Sequence, residues 1–304
     1  MSVASQPQVP LSHAKQIDAV VETSKAVRLG KEQRWGTPHL CSPFIILWRY
    51  RDLIVQMVQR EVVSRYRGSV LGMAWSFLTP LFLLAIYTFV FGFVLRVRWG
   101  TGAHSQAESV LMLFTGLIVY WLFSECVNRA PGLVVTNVNY VKKVIFPLEI
   151  LPWVAVGSAL FNAAMNLLVL LLFAVVLRAS LPWTVLLLPL IFLPLVMFTL
   201  GLSWGLASLG VFLRDIGQTI TLMTTALLFI SPVLYPVSAV PASVQPFLYV
   251  NPLTFIVEQT REVLLWGRLP HWQDFGLYLL GSLVVAWLGL LWFHKTRRGF
   301  ADVL

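Results

Sequence analysis

Six long apolar runs constrain the fold of this chain more than any other feature of its sequence. About 20 apolar residues in a helix are enough to cross the hydrocarbon core of a bilayer, so each run is a candidate membrane span. The runs therefore predict an all-α membrane protein with six transmembrane helices. They cover residues 71–95, 110–127, 150–177, 183–213, 219–236 and 276–293.

Composition agrees with lipid as the main solvent. The 304 residues are 58% hydrophobic and 12% charged, whereas a soluble domain carries about 25% charged residues. Cys41 and Cys126 suggest neither a disulfide framework nor a metal site, and the five histidines follow no metal-ligand spacing. The sequence thus indicates no catalytic residue and no metal centre.

The distribution of Lys and Arg explains the net charge of +9 without nucleic acid as a partner. With six spans, 17 of these residues flank one side of the membrane, which the positive-inside rule places in the cytoplasm together with both termini. Residues 1–43 lack the apolar core of a cleavable signal peptide and are expected to be a disordered cytoplasmic extension. The membrane domain is expected over residues 44–304. The other side holds five basic residues: Arg96, Arg98, Arg178, Arg261 and Arg268.

Residues 44–67 are too charged to cross a membrane, but their apolar side chains recur at helical spacing. This pattern predicts an amphipathic helix in the cytoplasmic interface. The helix is either a plain membrane anchor or part of a docking platform that leads into the first span.

Arg65, Tyr66, Arg67 and Gly68 stand directly before the first span. The two guanidinium groups suit bidentate hydrogen bonds to phosphoryl oxygens, and Gly68 permits close approach of the backbone. The alternative is that both arginines only contact anionic lipid headgroups.

Two further segments are neither plain spans nor plain loops. Residues 128–149 mix Asn and Lys with apolar residues and end at Pro147, which favours a short helix that presents an apolar face to another protein. Residues 236–275 are apolar and interrupted by prolines, which predicts two short interfacial or re-entrant helices near 241–250 and 253–266. This second pair is either a lid over an exit or a passive surface hairpin.

Polar residues within the spans are candidates for function, although structural roles are favoured for all of them. Glu125 is expected to pair with Arg129 at i+4. Asn162 and Asn166 share one helix face, and Gly201 with Gly205 forms a GxxxG pattern. Several aromatic residues either face a channel or belong to the interfacial belts, namely Trp75, Tyr87, Phe91, Trp121, Phe123 and Trp153.

Several stretches together resemble the permease subunits of type 2 ABC exporters, in the branch that moves polysaccharides such as O antigen, capsule or teichoic acid. The resemblance covers residues 45–304, and residues 1–43 have no counterpart. It is carried by RDLIVQMVQREVVSRYRGSVLGMAWSFLTPLFLLAIYTFVFGFVL (51–95), NYVKKVIFPLEILP (139–152), FLRDIGQ (212–218), SPVLYPVSAVP (231–241), NPLTFIVEQTREVLLWG (251–267) and the ending FADVL.

The resemblance implies a homodimer in the bacterial inner membrane, driven by two separate ATPase subunits that bind ATP and Mg²⁺. This chain itself contains no GxxxxGK[ST] phosphate loop. Arg65, Tyr66, Arg67 and Gly68 would then receive a polyprenyl-diphosphate-linked glycan. Contact with the ATPase falls to Asn139, Tyr140, Lys142, Lys143, Val144 and Ile145, and the outer gate to Tyr235, Pro241, Asn251 and Pro252.

Three other functions remain open at this point. One is a type 2 exporter of a lipid or a drug. A membrane-embedded glycosyl or phosphoryl transferase is another, although the sequence has no DxD or DDxxD pair for a metal ion. The third is a membrane assembly protein without transport.

Overall fold

The structure is a computed structural model that describes residues 39–95, 106–141, 146–178 and 180–304, and every regular element in these ranges is helical. Residues 1–38 of the expected extension, together with Arg96 and Arg98, lie outside the described residues. The α-helices are α1 (Ser42–Arg49), α2 (Arg51–Tyr66), α3 (Trp75–Tyr87), α4 (Gln106–Arg129), α5 (Val138–Val141), α6 (Leu151–Arg178), α7 (Leu188–Phe212), α8 (Ile216–Ile230), α9 (Gln245–Val250), α10 (Pro252–Arg261), α11 (Trp272–Thr296) and α12 (Phe300–Val303).

Short 3₁₀ or π-helical turns lengthen several of these helices. In the described part of the chain, five continuous helical segments are long and apolar enough to cross a membrane. The predicted all-α, multi-pass membrane fold is confirmed in this form. The segments are Gly72–Val94, Ala107–Gly132, Leu148–Arg178, Trp183–Phe212 and Trp272–Gly299.

The sixth predicted span, 219–236, corresponds to the shorter helix α8, which has 15 residues. At 1.5 Å per residue such a helix is about 22 Å long, below the roughly 30 Å of a hydrocarbon core. Ser231 is extended (φ −75°, ψ 151°) because the following Pro232 disfavours the helical region for its predecessor. The count of six spans therefore stays a prediction.

Helix α4 is the centre of the bundle. In the most apolar stretch of Ala107–Gly132, 89% of the residues are buried, against 17% in Gly72–Val94. Helices α6, α7, α8 and α10 all pack on α4. The outer helices expose Leu, Val and Phe side chains, as lipid-facing helices do.

Among the described helices, α7 and α11 pack against each other most extensively, and two glycines permit their approach. A Cβ atom on Gly201 would stand 2.5 Å from the carbonyl oxygen of Val285, and one on Gly289 would stand 2.0 Å from the carbonyl oxygen of Gly201. Nothing lies within 4 Å of the corresponding position on Gly205. Close packing therefore depends on Gly201 and Gly289 rather than on the predicted GxxxG pair.

The predicted single helix over residues 44–67 is wrong, since α1 and α2 are separated at Tyr50, whose dihedral angles leave the helical region (φ −110°, ψ 18°). Helix α2 packs on α6, and Ile54 and Val62 of the predicted apolar stripe are buried. Val55 and Val63 are about half exposed, so α2 carries apolar residues on more than one face.

Residues 236–275 contain the two predicted short helices with shifted bounds. The first, α9, begins at Gln245 because the Pro241 carbonyl accepts bonds from Val244 N (2.9 Å) and Gln245 N (3.3 Å) in a turn. The second, α10, continues through a π-helical turn over Glu262–Trp266, close to the predicted 253–266.

The 128–149 segment is less regular than one short helix. Helix α4 extends to Arg129, and 3₁₀ turns at Ala130–Gly132 and Val135–Asn137 precede the four-residue α5. Pro147 is extended and ends the segment, as predicted.

Candidate functional site

The turn between α2 and the first apolar segment separates the surroundings of the two candidate arginines. Helix α2 ends at Tyr66, Arg67 is extended, and Gly68 has φ +86°, a left-handed conformation that favours glycine. Arg65 faces α4 and α6, whereas Arg67 is exposed and forms no ion pair with any described residue.

Arg65 is held by two polar groups from the bundle. Its Nη2 donates to Glu125 Oε1 at 2.8 Å and to Ser158 Oγ at 3.3 Å. Partial burial opposes the charged form of Arg65, but its hydrogen bond and ion pair with Glu125 outweigh that effect and raise the pKa of the guanidinium. The arginine therefore remains charged at every physiological pH.

Glu125 has further partners on α6 and on its own helix. Asn162 Nδ2 donates to both carboxylate oxygens, at 3.0 and 2.8 Å. Arg129 Nη1 lies 3.8 Å from Glu125 Oε1, and Arg129 also pairs with Glu61 on α2. The predicted Glu125–Arg129 pair exists, but Arg65 and Asn162 hold the carboxylate more closely.

A cavity of about 480 Å³ opens beside Arg65 and is called here the Arg65 cavity. Its walls come from the end of α2 and from α3, α4 and α6. They combine amide, carboxylate and hydroxyl groups with two indole rings, a mixture suited to hydrogen bonding and stacking of sugars. The main polar and aromatic lining residues are Arg65, Glu125, Asn128, Asn162, Trp75 and Trp121.

A second cavity of about 620 Å³, the Tyr140 cavity, lies on the other side of the same ion pairs. Glu61 and Arg129 line it, together with Tyr140 and residues of α2. Asn128 borders both cavities. The charged network of Glu61, Arg65, Glu125 and Arg129 therefore stands between them.

Three of the aromatic candidates lie at or near the Arg65 cavity. Trp75 and Trp121 line the Arg65 cavity. Tyr87 packs near Phe114 and Trp121 with ring centroids 6.4 and 6.3 Å apart, so it supports the cavity wall from within the bundle.

The predicted ATPase-contact residues are only partly described. Asn139 is exposed, and Tyr140 stacks on Phe146 with ring centroids 4.3 Å apart and planes 13° from parallel. This stacking turns the Tyr140 ring toward the chain itself. Lys142, Lys143, Val144 and Ile145 lie outside the described residues.

The predicted gate residues form internal hydrogen bonds. Tyr235 Oη donates to the Ile230 carbonyl at 2.6 Å. Asn251 caps α10 by accepting from Leu253 N at 3.0 Å, and it donates to Ser231 Oγ at 2.7 Å. Pro252 offers its carbonyl to Tyr278 Oη at 2.5 Å. These bonds fix the start of α10 to the ends of α8 and α11.

The sequence profile described as ABC-2 type transporter matches residues 52–265, more than half of the chain. The chain belongs to the ABC-2 type transporter family. The predicted resemblance is thereby confirmed, and the match spans α2 to the π-helical turn after α10.

Individual relatives in this family are named for polysaccharide export. An O-antigen export system permease protein, RfbA of Myxococcus xanthus, is 29% identical over 84% of this chain and 96% of its own length. A protein of the same name from Klebsiella pneumoniae is 28% identical, over 83% of this chain and 95% of its own. The polysialic acid transport protein KpsM of Escherichia coli is 24% identical, over 79% and 91%.

Sequence analysis missed one buried residue of this ABC-2 chain. Arg261 on α10 is 1% exposed and donates to the carbonyl oxygens of Met112 (3.1 Å) and Val233 (3.0 Å) and to Glu258 Oε1 (2.7 Å). It was counted only as an outer positive charge. The available signal was its position three residues after Glu258, which is the spacing of an ion pair on one helix.

Proposed function

We propose that this chain is the membrane-spanning permease subunit of an ATP-driven exporter that moves a lipid-linked surface polysaccharide across the bacterial inner membrane. Membership of the ABC-2 family supports the transport class. The names of relatives that align along nearly their whole length support a glycan as cargo. The observation that carries the proposal is the Arg65 cavity, where an arginine, three asparagines and two indole rings meet between the end of α2 and helices α3, α4 and α6.

The proposed topology has six crossings, with α8 as the fifth and both termini in the cytoplasm. The excess of Lys and Arg supports this orientation. The Arg65 cavity then opens near the inner headgroups, and α9 and α10 lie near the outer face as gate helices. Tyr235, Pro241, Asn251 and Pro252 belong to this proposed gate.

The proposed energy source is a pair of ATPase subunits that bind ATP and Mg²⁺, while this chain forms a homodimer and carries no resident metal or cofactor. The missing phosphate loop supports a separate ATPase. The 139–145 segment is its proposed docking site. Asn139 is exposed, and the neighbouring Tyr140 lines the Tyr140 cavity together with Arg129 at the end of α4.

The proposed substrate contact is made by the lipid diphosphate at Arg65 to Gly68. A diphosphate lies at headgroup depth, with its sugars in water and its polyprenyl tail in lipid. Arginine stems extend along apolar surface and place their guanidinium groups at that depth. Asn162 and the two indole rings are then in reach of the first sugars.

The test is deletion of the gene for this chain in its host, with complementation by the wild-type gene. We expect surface polysaccharide to disappear while its lipid-linked precursor accumulates inside the cell. Surface polysaccharide is measured by antibody or lectin binding on intact cells, and the precursor by extraction and mass spectrometry. Unchanged surface polysaccharide with altered lipid composition or drug sensitivity would instead support the lipid or drug exporter.

A further inference from the structure

The four charges between the two cavities balance one another. Arg65 and Arg129 carry two positive charges, Glu61 and Glu125 carry two negative charges, and each is within 4.0 Å of an opposite charge. The cavity that contains Arg65 therefore offers little net positive charge to an incoming anion. Any phosphate that binds Arg65 must compete with a carboxylate already present.

The competing carboxylate is placed so that it can be displaced. Arg65 uses Nη2 to contact Glu125 Oε1, and both side chains keep solvent access, with 37% and 23% of their side-chain surface exposed. Arg129 Nη1 lies 3.8 Å from the same Oε1. If Glu125 leaves Arg65, a second guanidinium is thus within reach, and Asn162 can keep donating to the other oxygen.

We infer that Glu125 is an internal counter-ion that occupies Arg65 in the empty transporter and moves to Arg129 when a substrate diphosphate takes its place. This inference rests on the proposed function and adds a basis for selectivity. A headgroup with a single negative charge gains no more from Arg65 than Glu125 already does. A diphosphate carries more charge and more acceptor oxygens, so it binds Arg65 more strongly than Glu125 does and displaces that carboxylate. Glu125 therefore excludes the abundant anionic phospholipids from a site that must admit a scarce lipid diphosphate.

The test measures equilibrium binding of a radiolabelled polyprenyl diphosphate, without sugars, to the purified full-length chain in phosphatidylcholine nanodiscs. Phosphatidylglycerol and inorganic diphosphate serve as competitors that distinguish a bulk lipid headgroup and a free phosphate from the lipid diphosphate. The variants are Glu125→Gln, which removes the charge and keeps the shape, and Glu125→Asp, which keeps the charge and shortens the reach. Glu262→Gln is the matched control, because Glu262 pairs with the exposed Arg268 away from both cavities.

We expect Glu125→Gln to bind the polyprenyl diphosphate about two- to fivefold more tightly than wild type, since a partly exposed ion pair is worth on the order of that factor. Phosphatidylglycerol should compete better against this variant than against wild type. The affinity of Glu125→Asp for polyprenyl diphosphate should lie between those of wild type and Glu125→Gln. If Glu125→Gln does not fold, tighter binding by Glu125→Asp than by wild type is the expected result. Glu262→Gln should bind as wild type does.

Arg129 supplies an independent check because it does not line the Arg65 cavity. Arg129→Gln should weaken binding in the wild-type background, where Glu125 loses its second partner, and should have no effect in the Glu125→Gln background. Equal or weaker binding by both Glu125 variants would overturn the inference. A wild-type chain that binds no polyprenyl diphosphate, or exchanges it freely with phosphatidylglycerol, would instead overturn the proposed substrate class.

Discussion

Arg297 Nη1, just after the last long helix, lies 2.8 Å from Glu149 Oε2, and the Glu149 side chain is 1% exposed. Arg297 Nη2 also donates to the Phe146 carbonyl at 3.3 Å, and Trp204 Nε1 donates to the Glu149 carbonyl at 3.0 Å. The segment that follows the proposed ATPase contact is therefore tied to both α7 and the carboxyl-terminal end of α11. The contact with α7 is a hydrogen bond, and the contacts with the end of α11 are an ion pair and a hydrogen bond.

Replacing Arg297 should destabilise the fold, because it leaves a buried carboxylate without its partner. Arg297→Gln is expected to cost about 1–3 kcal/mol, and Glu149→Gln in the same chain should recover part of the loss. The measurement is the apparent thermal midpoint in detergent, with Arg298→Gln as control because Arg298 is exposed. Equal effects of the two arginine variants would contradict a specific role for the pair.

Arg261 should be among the least replaceable residues of the hairpin formed by residues 236–275. Arg261→Leu leaves Glu258 and the carbonyls of Met112 and Val233 without their donor, and breaking such a buried pair costs about 3–5 kcal/mol. Arg268→Gln is the matched control, since the Arg268 side chain is 70% exposed. Thermal midpoints of both variants are compared. A wild-type midpoint for Arg261→Leu would show that the hairpin does not depend on this arginine.

Two glycines of α7 allow a matched comparison of helix packing. Gly201→Ala places a methyl group 2.5 Å from a carbonyl oxygen of α11, so the helices must separate at a cost of about 1–3 kcal/mol. Gly205→Ala meets nothing within 4 Å and should be neutral or slightly stabilising. Unfolding in detergent is measured for both. Loss of stability in Gly205→Ala alone would reverse the assignment of the packing face.

Arg65 and Arg67 should now differ in their effect on export. Arg65→Gln removes the guanidinium of the cavity and should weaken substrate engagement about ten- to a hundredfold. Arg65→Lys should rescue only in part, because an ammonium cannot form the planar bidentate contact. Arg67→Gln should have a smaller effect, since Arg67 is exposed and does not line the cavity. Surface polysaccharide at matched expression is the readout. Normal amounts in both Gln variants would leave only an anchoring role.

The proposed orientation is tested by cysteine labelling after Cys41 and Cys126 are replaced. A cysteine at Ser180, which is exposed after α6, should react with an impermeant thiol reagent on intact spheroplasts. One at Arg298 should react only after the membrane is opened. External labelling at position 298 would contradict the even number of crossings.

The helical, membrane-spanning character of the chain was predictable because apolar runs are a local property of the sequence. The end of α8 also has a local signal, because Ser231 precedes Pro232. The apolar run continues past this point, however, so its length alone predicted a longer helix over 219–236. The break at Tyr50 has no such signal. Its dihedral angles leave the helical region although no glycine or proline lies at or beside this position.

The candidate site was predictable only in its parts. Glu125 was expected to contact Arg129, because the i,i+4 rule relates residues on one helix. Its closer partners, Arg65 and Asn162, are 60 and 37 residues away, and only the packing of α2, α4 and α6 brings them together. Sequence periodicity identifies polar residues within spans but does not identify their partners on other helices.

The contacts of Arg261 also constrain the order in which the chain matures during synthesis. One acceptor, the Met112 carbonyl, emerges from the ribosome 149 residues before the arginine, and the other, at Val233, emerges 28 residues before it. Glu258 on the same helix is available at once, but an arginine without its two carbonyl acceptors is still costly to place among lipids. The recess formed by α4 and the end of α8 must therefore be assembled before the hairpin docks. A substitution that disturbs α4 would then appear as failed docking of residues 236–275, although these residues are synthesised much later.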